Sequence, residues 1–245
     1  MPETPVLNLS RRLLQLMPSP CIVCGKSSRA AYSLCPDCEF DLPWAGPCCI
    51  RCGEELPATA PNPRSCAGCT LHPPPFACCR AAFRYQSPID SLLSGFKFRA
   101  RFEAGNVLAL LLAEKIAQHY RNTTPPDLLL PVPLHPKRLR QRGFNQALEI
   151  ARVVSKKCGI PLSGNAIVKM RDTTAQTKMH SAGARKQNLK NAFGVADNVL
   201  LHRVKSVALI DDVVTTMATV SSVSRELRGC GIRHIDVWCL ARANR

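Results

Sequence analysis

Eight cysteines near the front of the chain form four Cys-x-x-Cys pairs: Cys21/Cys24, Cys35/Cys38, Cys49/Cys52 and Cys66/Cys69. Two residues between thiolates let one tight turn aim both sulfurs at a single ion, and two such turns complete a tetrahedral all-sulfur zinc site. Ten residues separate the first two pairs and thirteen the last two, both workable spans for a ribbon hairpin. Gly25 and Gly53 each follow a second cysteine, where a metal knuckle calls for positive φ. A disulfide framework is one alternative; it needs an oxidising compartment. A redox dithiol is another, and four copies of it would be redundant. The economical pairing is sequential, with one zinc on Cys21, Cys24, Cys35 and Cys38 and another on Cys49, Cys52, Cys66 and Cys69. Cross-bracing of alternate pairs stays open, as does the number of ions. A closed four-thiolate site has no position for water, so this metal is structural. The remaining cysteines, Cys48, Cys78, Cys79, Cys158, Cys230 and Cys239, read as small buried hydrophobes.

A second stretch, Val207 to Thr219, runs VALIDDVVTTMAT. An apolar strand meets two adjacent acids, Asp211 and Asp212, and a hydroxyl-rich loop then opens a helix. Carboxylates at a strand end can accept hydrogen bonds from vicinal ribose hydroxyls. The loop can offer backbone N–H groups and the hydroxyls of Thr215, Thr216 and Thr219 to a phosphate, aided by the positive end of the helix dipole. The plain alternative is that Asp212 caps a helix and the threonines decorate a turn. Buried strands seldom end in unpaired twin acids, which favours the ligand reading.

Elements that position these residues follow from periodicity. Strands are expected at Ala81–Tyr85, Asp127–Val132, Val204–Ile210 and His234–Leu240. Helices are expected over Ser87–Phe98, over Gly105–Tyr120 with leucines on more than one face, and where Phe144, Ala147, Ala151, Val154 and Cys158 recur before Gly159. Val220, Val223 and Leu227 mark a further helix ending around Gly229–Gly231. Strand and helix in turn imply right-handed crossovers and a parallel sheet covered on both faces. Ligands of such sheets sit beyond the carboxyl ends of the strands. Pro73, Pro74 and Pro75 stiffen the exit from the cysteine region and mark a boundary near residue 80.

The 245 residues are 46% hydrophobic, which excludes wholesale disorder. The longest clean aliphatic run, Val107–Ala113, is too short to span a bilayer, which takes about 20 residues. Glu3 precedes the front apolar residues, and Arg11 and Arg12 split them, a pattern that disfavours export. Charge is uneven: residues 1–80 hold 7 basic and 6 acidic side chains, whereas 135–205 hold 15 basic and 3 acidic. Such a field attracts phosphates, on a metabolite or along a nucleic acid, or simply keeps the surface soluble.

The Val207–Thr219 segment resembles the phosphoribosyl pyrophosphate (PRPP) signature of type I phosphoribosyltransferases. With Pro131–Leu134 (PVPL), Arg142–Gln146 (RGFNQ), Arg185–Lys190 (RKQNLK) and the cysteine module, the chain resembles the ComF/GntX family from about Cys21 to Arg242. That resemblance implies an α/β architecture: a parallel-sheet type I phosphoribosyltransferase-like domain at 81–245, a double zinc ribbon at 21–80, and an N-terminal segment at 1–20. It implies PRPP with Mg²⁺, and a link to DNA uptake and utilisation in natural competence or to related nucleoside metabolism. By position, Asp211 and Asp212 would contact the ribose diol, directly or through Mg²⁺. Val213, Val214, Thr215, Thr216, Met217, Ala218 and Thr219 would hold the 5′-phosphate. Lys137, Arg138, Arg140 and Arg142 would stand near the pyrophosphate, and Lys178, Arg185 and Lys186 would lie in a hood over Thr173–Asn191. One departure stands out: Met217 occupies a position where the family pattern has glycine, so a side chain must accommodate the loop's backbone angles or weaken the phosphate seat.

The resemblance and the residues give three functional readings. The first is a Mg²⁺-dependent phosphoribosyltransferase acting on an unidentified acceptor. The second is an accessory factor that follows a single-stranded DNA backbone, although within 135–205 the only aromatic rings are Phe144 and Phe193. The third makes the near-neutral cysteine module a docking platform for another protein, such as a helicase of the uptake machinery; Val6–Met17, with Leu7, Leu14 and Met17 on one helical face, reads as domain packing. The expected location is cytoplasmic, peripheral at the inner membrane through partners.

Overall fold

The computed structural model describes residues 19–28, 32–57, 65–171, 192–196 and 201–243; the Val6–Met17 segment lies outside them. In the cysteine region, a two-residue hairpin of β1 (Ser19–Pro20) and β2 (Ser27–Ser28) brackets the first knuckle. Two single-turn helices, α1 (Pro36–Phe40) and α2 (Ala67–Leu71), begin immediately after Cys35 and Cys66. The first cysteine of each returning pair therefore ends an extended segment, and the helical turn brings the second sulfur back beside it. Pro36 suits the first helical position because its missing N–H would have no partner there.

Beyond residue 77 the elements follow as β3 (Cys78–Arg84), α3 (Ile89–Arg99), α4 (Phe102–His119), β4 (Leu128–Pro131), α5 (Pro136–Arg142), α6 (Gln146–Cys158), β5 (Ile167–Lys169), β6 (Phe193–Val195), β7 (Ser206–Val214), α7 (Ala218–Gly229) and β8 (His234–Arg242). Strands β3, β8, β7 and β4 form one parallel sheet in that order, and β5 pairs with β6 in a separate antiparallel hairpin.

The two central strands read as near-continuous apolar runs because both of their faces are covered. Alternation sorts their side chains. Ala208, Ile210, Trp238 and Leu240 face a core shared with Leu93, Phe96, Leu108, Leu112 and Val154 of α3, α4 and α6. Val207, Leu209, Val237 and Cys239 face the other side, with Val220, Val223 and Leu227 of α7 and with Phe193 of the hairpin. Cys21, Leu34 and Leu42 of the first ribbon belong to the α3–α4 core as well.

The expected strands and longer helices are present, and the parallel α/β sheet stands behind a cysteine-rich module. Two features differ from the expectation. Strand β7 does not stop at Ile210 but continues through both acids to Val214, held in register by β8. The basic stretch after β4, to which the sequence reading assigns no element, forms helix α5, started by Pro136 and stopped by Gly143 in the left-handed region. Among the described residues no helix is long and apolar enough to cross a membrane.

Candidate functional site

At the carboxyl edge of the sheet, β7 delivers Asp211 and Asp212 while it is still paired, Asp211 opposite Cys239 of β8. The carboxylates also serve the turn: Asp211 Oδ1 accepts the N–H of Asp212 at 2.9 Å, and Asp212 Oδ1 accepts the N–H of Val213 at 2.6 Å. Lys97, from the last turn of α3, places Nζ 3.0 Å from Asp212 Oδ2. Burial, followed by the charge of Asp212, pushes the Asp211 carboxyl above the usual carboxylate range, although the Asp212 N–H and Lys97 pull it down. The pair is thus a cluster of two acids and one lysine rather than two bare charges.

The loop after the acids turns through Thr215, Thr216 and Met217 into α7. Met217 adopts the left-handed conformation, φ 61° and ψ 2°, and its carbonyl accepts the first helical bond from Ser221. The residue thus takes the backbone shape that glycine adopts freely, at a cost of about 1–2 kcal/mol for an L-residue. Its side chain packs against Cys49, Cys52 and Cys69 and against the α7 side of the core. Asp211, Val213, Val214, Thr215, Met217, Thr219 and Val220 line a small, half-open cleft with an accessible volume of about 20 Å³. The hydroxyl oxygen of Thr216, in the same loop, is buried, with no hydrogen-bond partner among the described residues. Buried polar atoms are normally satisfied, so this hydroxyl is an exception, as are Gln146 Nε2 and Trp238 Nε1.

Helix α5 and the RGFNQ corner supply the basic wall. Gly143 (φ +79°) ends α5, and Asn145 caps α6 by accepting the N–H of Ala147 while donating to the carbonyl of Val132, so the corner is tied to the end of β4. Arg142 donates to Gln146 Oε1 at 3.1 Å and lies 5.3 Å over the Phe98 ring. Burial draws its guanidinium below the ordinary value, Asp212 opposes that, and Arg138 adds to it, so Arg142 acts in the field of Asp212 with Arg138 beside it. Of the residues singled out by sequence, the structure brings together Asp211, Asp212, the 213–219 loop, Arg138 and Arg142. Lys178, Arg185 and Lys186 lie outside the described residues.

Three participants escaped sequence reasoning. Lys97 looks like any cation in a last helical turn. Phe98, 71% exposed beside Arg142, looks like a surface accident. Arg242, at the end of β8, is only 2% exposed, and its guanidinium donates to the carbonyls of Cys52, Val214, Thr215 and Ala243. An arginine closing a strand that is otherwise buried throughout was the available signal. Phe193, by contrast, is a core residue and offers no open ring face.

Among the described residues, the cysteines gather into two sets of four, Cys21, Cys24, Cys35 and Cys38, and Cys49, Cys52, Cys66 and Cys69, with the sulfurs of each set within 4.8 Å of one another. The pairing is sequential, not cross-braced, and all 14 cysteines are free thiols. Cys24 and Cys35 sulfurs are 3.8 Å apart, and those of Cys52 and Cys66 are 3.7 Å apart. A tetrahedron with Zn–S bonds of about 2.3 Å has edges of about 3.8 Å, so these sets fit structural zinc. The Cys66 N–H points at Cys49 Sγ from 3.3 Å, the kind of donor that favours a thiolate. Both knuckles need glycine: Gly25 and Gly53 have φ +74° and +68°, and a Cβ on Gly53 would meet the Cys79 carbonyl at 3.0 Å.

Comparison with known proteins adds four findings. Residues 13–70 match the family model of the double zinc ribbon domain. The chain is 35% identical over 226 residues to competence protein F of Haemophilus influenzae, covering 91% of this chain and 96% of that one. It is also 35% identical over 225 residues to the DNA utilization protein YhgH of Salmonella typhimurium, covering 91% and 89% respectively. Among solved structures, the glutamine PRPP amidotransferase of B. subtilis complexed with ADP and GMP aligns with a TM-score of 0.39 at 15% identity, over 60% of this chain and 30% of that one.

Proposed function

Since the chain belongs to the family of competence protein F and the DNA utilization proteins, we propose that its carboxyl-edge site binds PRPP and transfers the phosphoribosyl group, in the service of DNA uptake and utilisation. The observation that carries this reading is the acid pair at the carboxyl edge of β7, with Lys97 Nζ 3.0 Å from Asp212 and a hydroxyl-rich loop leading from it into α7. The loop N–H groups and threonines would take the 5′-phosphate, and the Asp212 carboxylate, oriented by Lys97 at 3.0 Å, would accept from the ribose hydroxyls. In the transfer, the bond from ribose C1 to the pyrophosphate oxygen breaks with its electron pair leaving on pyrophosphate, and the acceptor's lone pair forms the new bond to C1. Arg138 and Arg142 would stabilise the charge that appears on the leaving group, which is where such a reaction needs help. Arg185 and Lys186 join this proposal from the sequence alone, as the groups that close over the diphosphate and keep water out. Mg²⁺ belongs to the same reading: Asp211 and Asp212 are oxygen donors of the kind it takes, and it would neutralise charge on the diphosphate.

The test is calorimetric titration of the purified protein with PRPP and Mg²⁺, with and without short single-stranded DNA. Saturable binding of PRPP is the expected result; no binding at millimolar PRPP removes the reading.

A second reading, single-strand binding, is favoured by one observation. Phe98 and Phe102 are 71% and 48% exposed on the face that carries Arg142, and Phe102 packs on Phe144. An open ring beside arginines is a stacking platform for bases, so α3 and α4 contribute the rings that the 135–205 stretch lacks. The two readings are compatible, because the platform lies outside the phosphate loop.

A further inference from the structure

Arg242 connects the second cysteine set to the loop that follows β7. Its Nε donates to the carbonyl of Cys52 at 2.9 Å, within the knuckle of the second cysteine set. Its Nη1 donates to the carbonyls of Val214, at 3.1 Å, and Thr215, where β7 becomes the phosphate loop. Nη2 lies 3.9 Å from Glu54 Oε2, the carboxylate two residues past Cys52. A peptide group is planar and trans, so a carbonyl drawn toward Arg242 turns the following N–H the opposite way. The guanidinium thereby sets the direction of the Thr215 and Thr216 N–H groups, two donors of the phosphate loop. A second contact reinforces the link, because the Met217 side chain rests on Cys49, Cys52 and Cys69.

We propose that metal occupancy of the Cys49, Cys52, Cys66 and Cys69 site and ligand occupancy of the phosphate loop are thermodynamically linked, with Arg242 as the positioning residue that carries the linkage. A zinc-held knuckle fixes the Cys52 carbonyl and the seat of Met217; losing the metal frees both, and the loop loses its orientation. Among the described residues no hydrogen bond joins the first cysteine set to the loop; that set packs into the α3–α4 core, which reaches β7 only at Ala208, Ile210 and Val213. Zinc loss at the second site therefore lowers affinity for a phosphorylated sugar, and the linkage is reciprocal, so that ligand slows zinc loss from that site alone. The ligand half of this inference rests on the PRPP reading; the loop half does not.

Two measurements separate them. Hydrogen exchange of the Val213–Thr219 amides is compared in the parent protein and in Cys66→Ser and Cys35→Ser variants. Exchange is expected to accelerate about tenfold or more in Cys66→Ser and to stay at the parental rate in Cys35→Ser. Zinc release to a coloured chelator is followed in the unmodified protein with and without PRPP and Mg²⁺. One of two release phases is expected to slow by about fivefold or more, and an Arg242→Met variant that keeps both zinc ions should lose that slowing. Equal acceleration in both cysteine variants, or in neither, overturns the linkage whatever PRPP does. Selective acceleration without any PRPP binding keeps the linkage and overturns only the identity of the ligand. PRPP binding that leaves both release phases unchanged overturns the linkage alone.

Discussion

Replacing Asp212 by asparagine removes one charge and almost no volume, which makes it a sharp probe of the acid pair. Lys97 Nζ lies 3.0 Å from Asp212 Oδ2, with the two side chains 20% and 13% exposed. At that separation the gross attraction in a partly screened setting is about 5 kcal/mol. Desolvation of two largely buried groups leaves a net of about 1–2 kcal/mol. Part of that is returned, because the Asp212 charge helps to hold the Asp211 carboxyl above its ordinary range and the variant relieves the repulsion. Stability should therefore fall by about 1 kcal/mol or less, a drop in Tm of about 2–4 °C for a chain of this size. Binding should suffer far more. A hydrogen bond to a charged acceptor contributes about 1.5–3 kcal/mol, so affinity for PRPP should fall about tenfold to a hundredfold. Calorimetric titration with PRPP and Mg²⁺, run beside scanning fluorimetry, reads both quantities. A variant that binds PRPP within about twofold of the parent at an unchanged Tm refutes the ribose role. A collapse in Tm would instead assign Asp212 to the fold.

Met217→Gly relieves about 1–2 kcal/mol of backbone strain but gives up about as much packing on the second ribbon, and glycine adds about 0.5–1 kcal/mol of chain entropy. A net loss of about 1 kcal/mol in denaturant titration is expected, with PRPP affinity changed by less than about threefold; a gain above tenfold would show the thioether intruding on the phosphate seat. Cys21→Ser should lower zinc, measured by elemental analysis, from two ions per chain to one, because the two sets of four do not share a ligand. Asp127 accepts the N–H groups of Lys205 and Ser206, both at 2.9 Å, and those bonds, the first of them foremost, hold its carboxyl below the usual range. A depressed carboxylate stabilises above its unfolded value and loses that effect as pH falls through the folded one. Asp127→Ala should thus cost about 1 kcal/mol in denaturant titration at pH 7, with the gap to the parent closing below about pH 4. Phe98→Ala should weaken binding of single-stranded DNA about tenfold in a fluorescence anisotropy titration, with a smaller loss of PRPP affinity through Arg142, on which the ring stacks.

How much of this was legible in the sequence depends on whether a feature is local. The Cys-x-x-Cys pairs and their glycines are local signals, because spacing alone decides whether sulfurs can converge. The acids and threonines after the Val207–Ile210 run are also local, since a buried strand that suddenly turns polar has to be doing so at an edge. Helix α5 was local too, and the signal was there: Pro136 at the first helical position and Gly143 beyond the last are start and stop marks. A dense run of arginine and lysine over the same residues read more strongly as charge. Hairpin strands β5 and β6 are three residues each, too short for any period to register. Lys97 and Arg242 are different in kind. Lys97 reaches Asp212 only because α3 packs across the sheet, and Arg242 reaches Cys52 over 190 positions of chain. No pattern along the sequence encodes such a meeting; it exists only after the core has formed.

Cys21, Leu34 and Leu42 share one apolar cluster with Leu93, Leu108 and Leu112. Cutting the chain at its proline-rich joint would therefore not liberate a self-contained sheet domain. The truncated piece would present a bare leucine surface to water and clump, so laboratories seeking crystals or turnover should express the cysteine module and the sheet as one polypeptide, supplied with zinc from the start of synthesis.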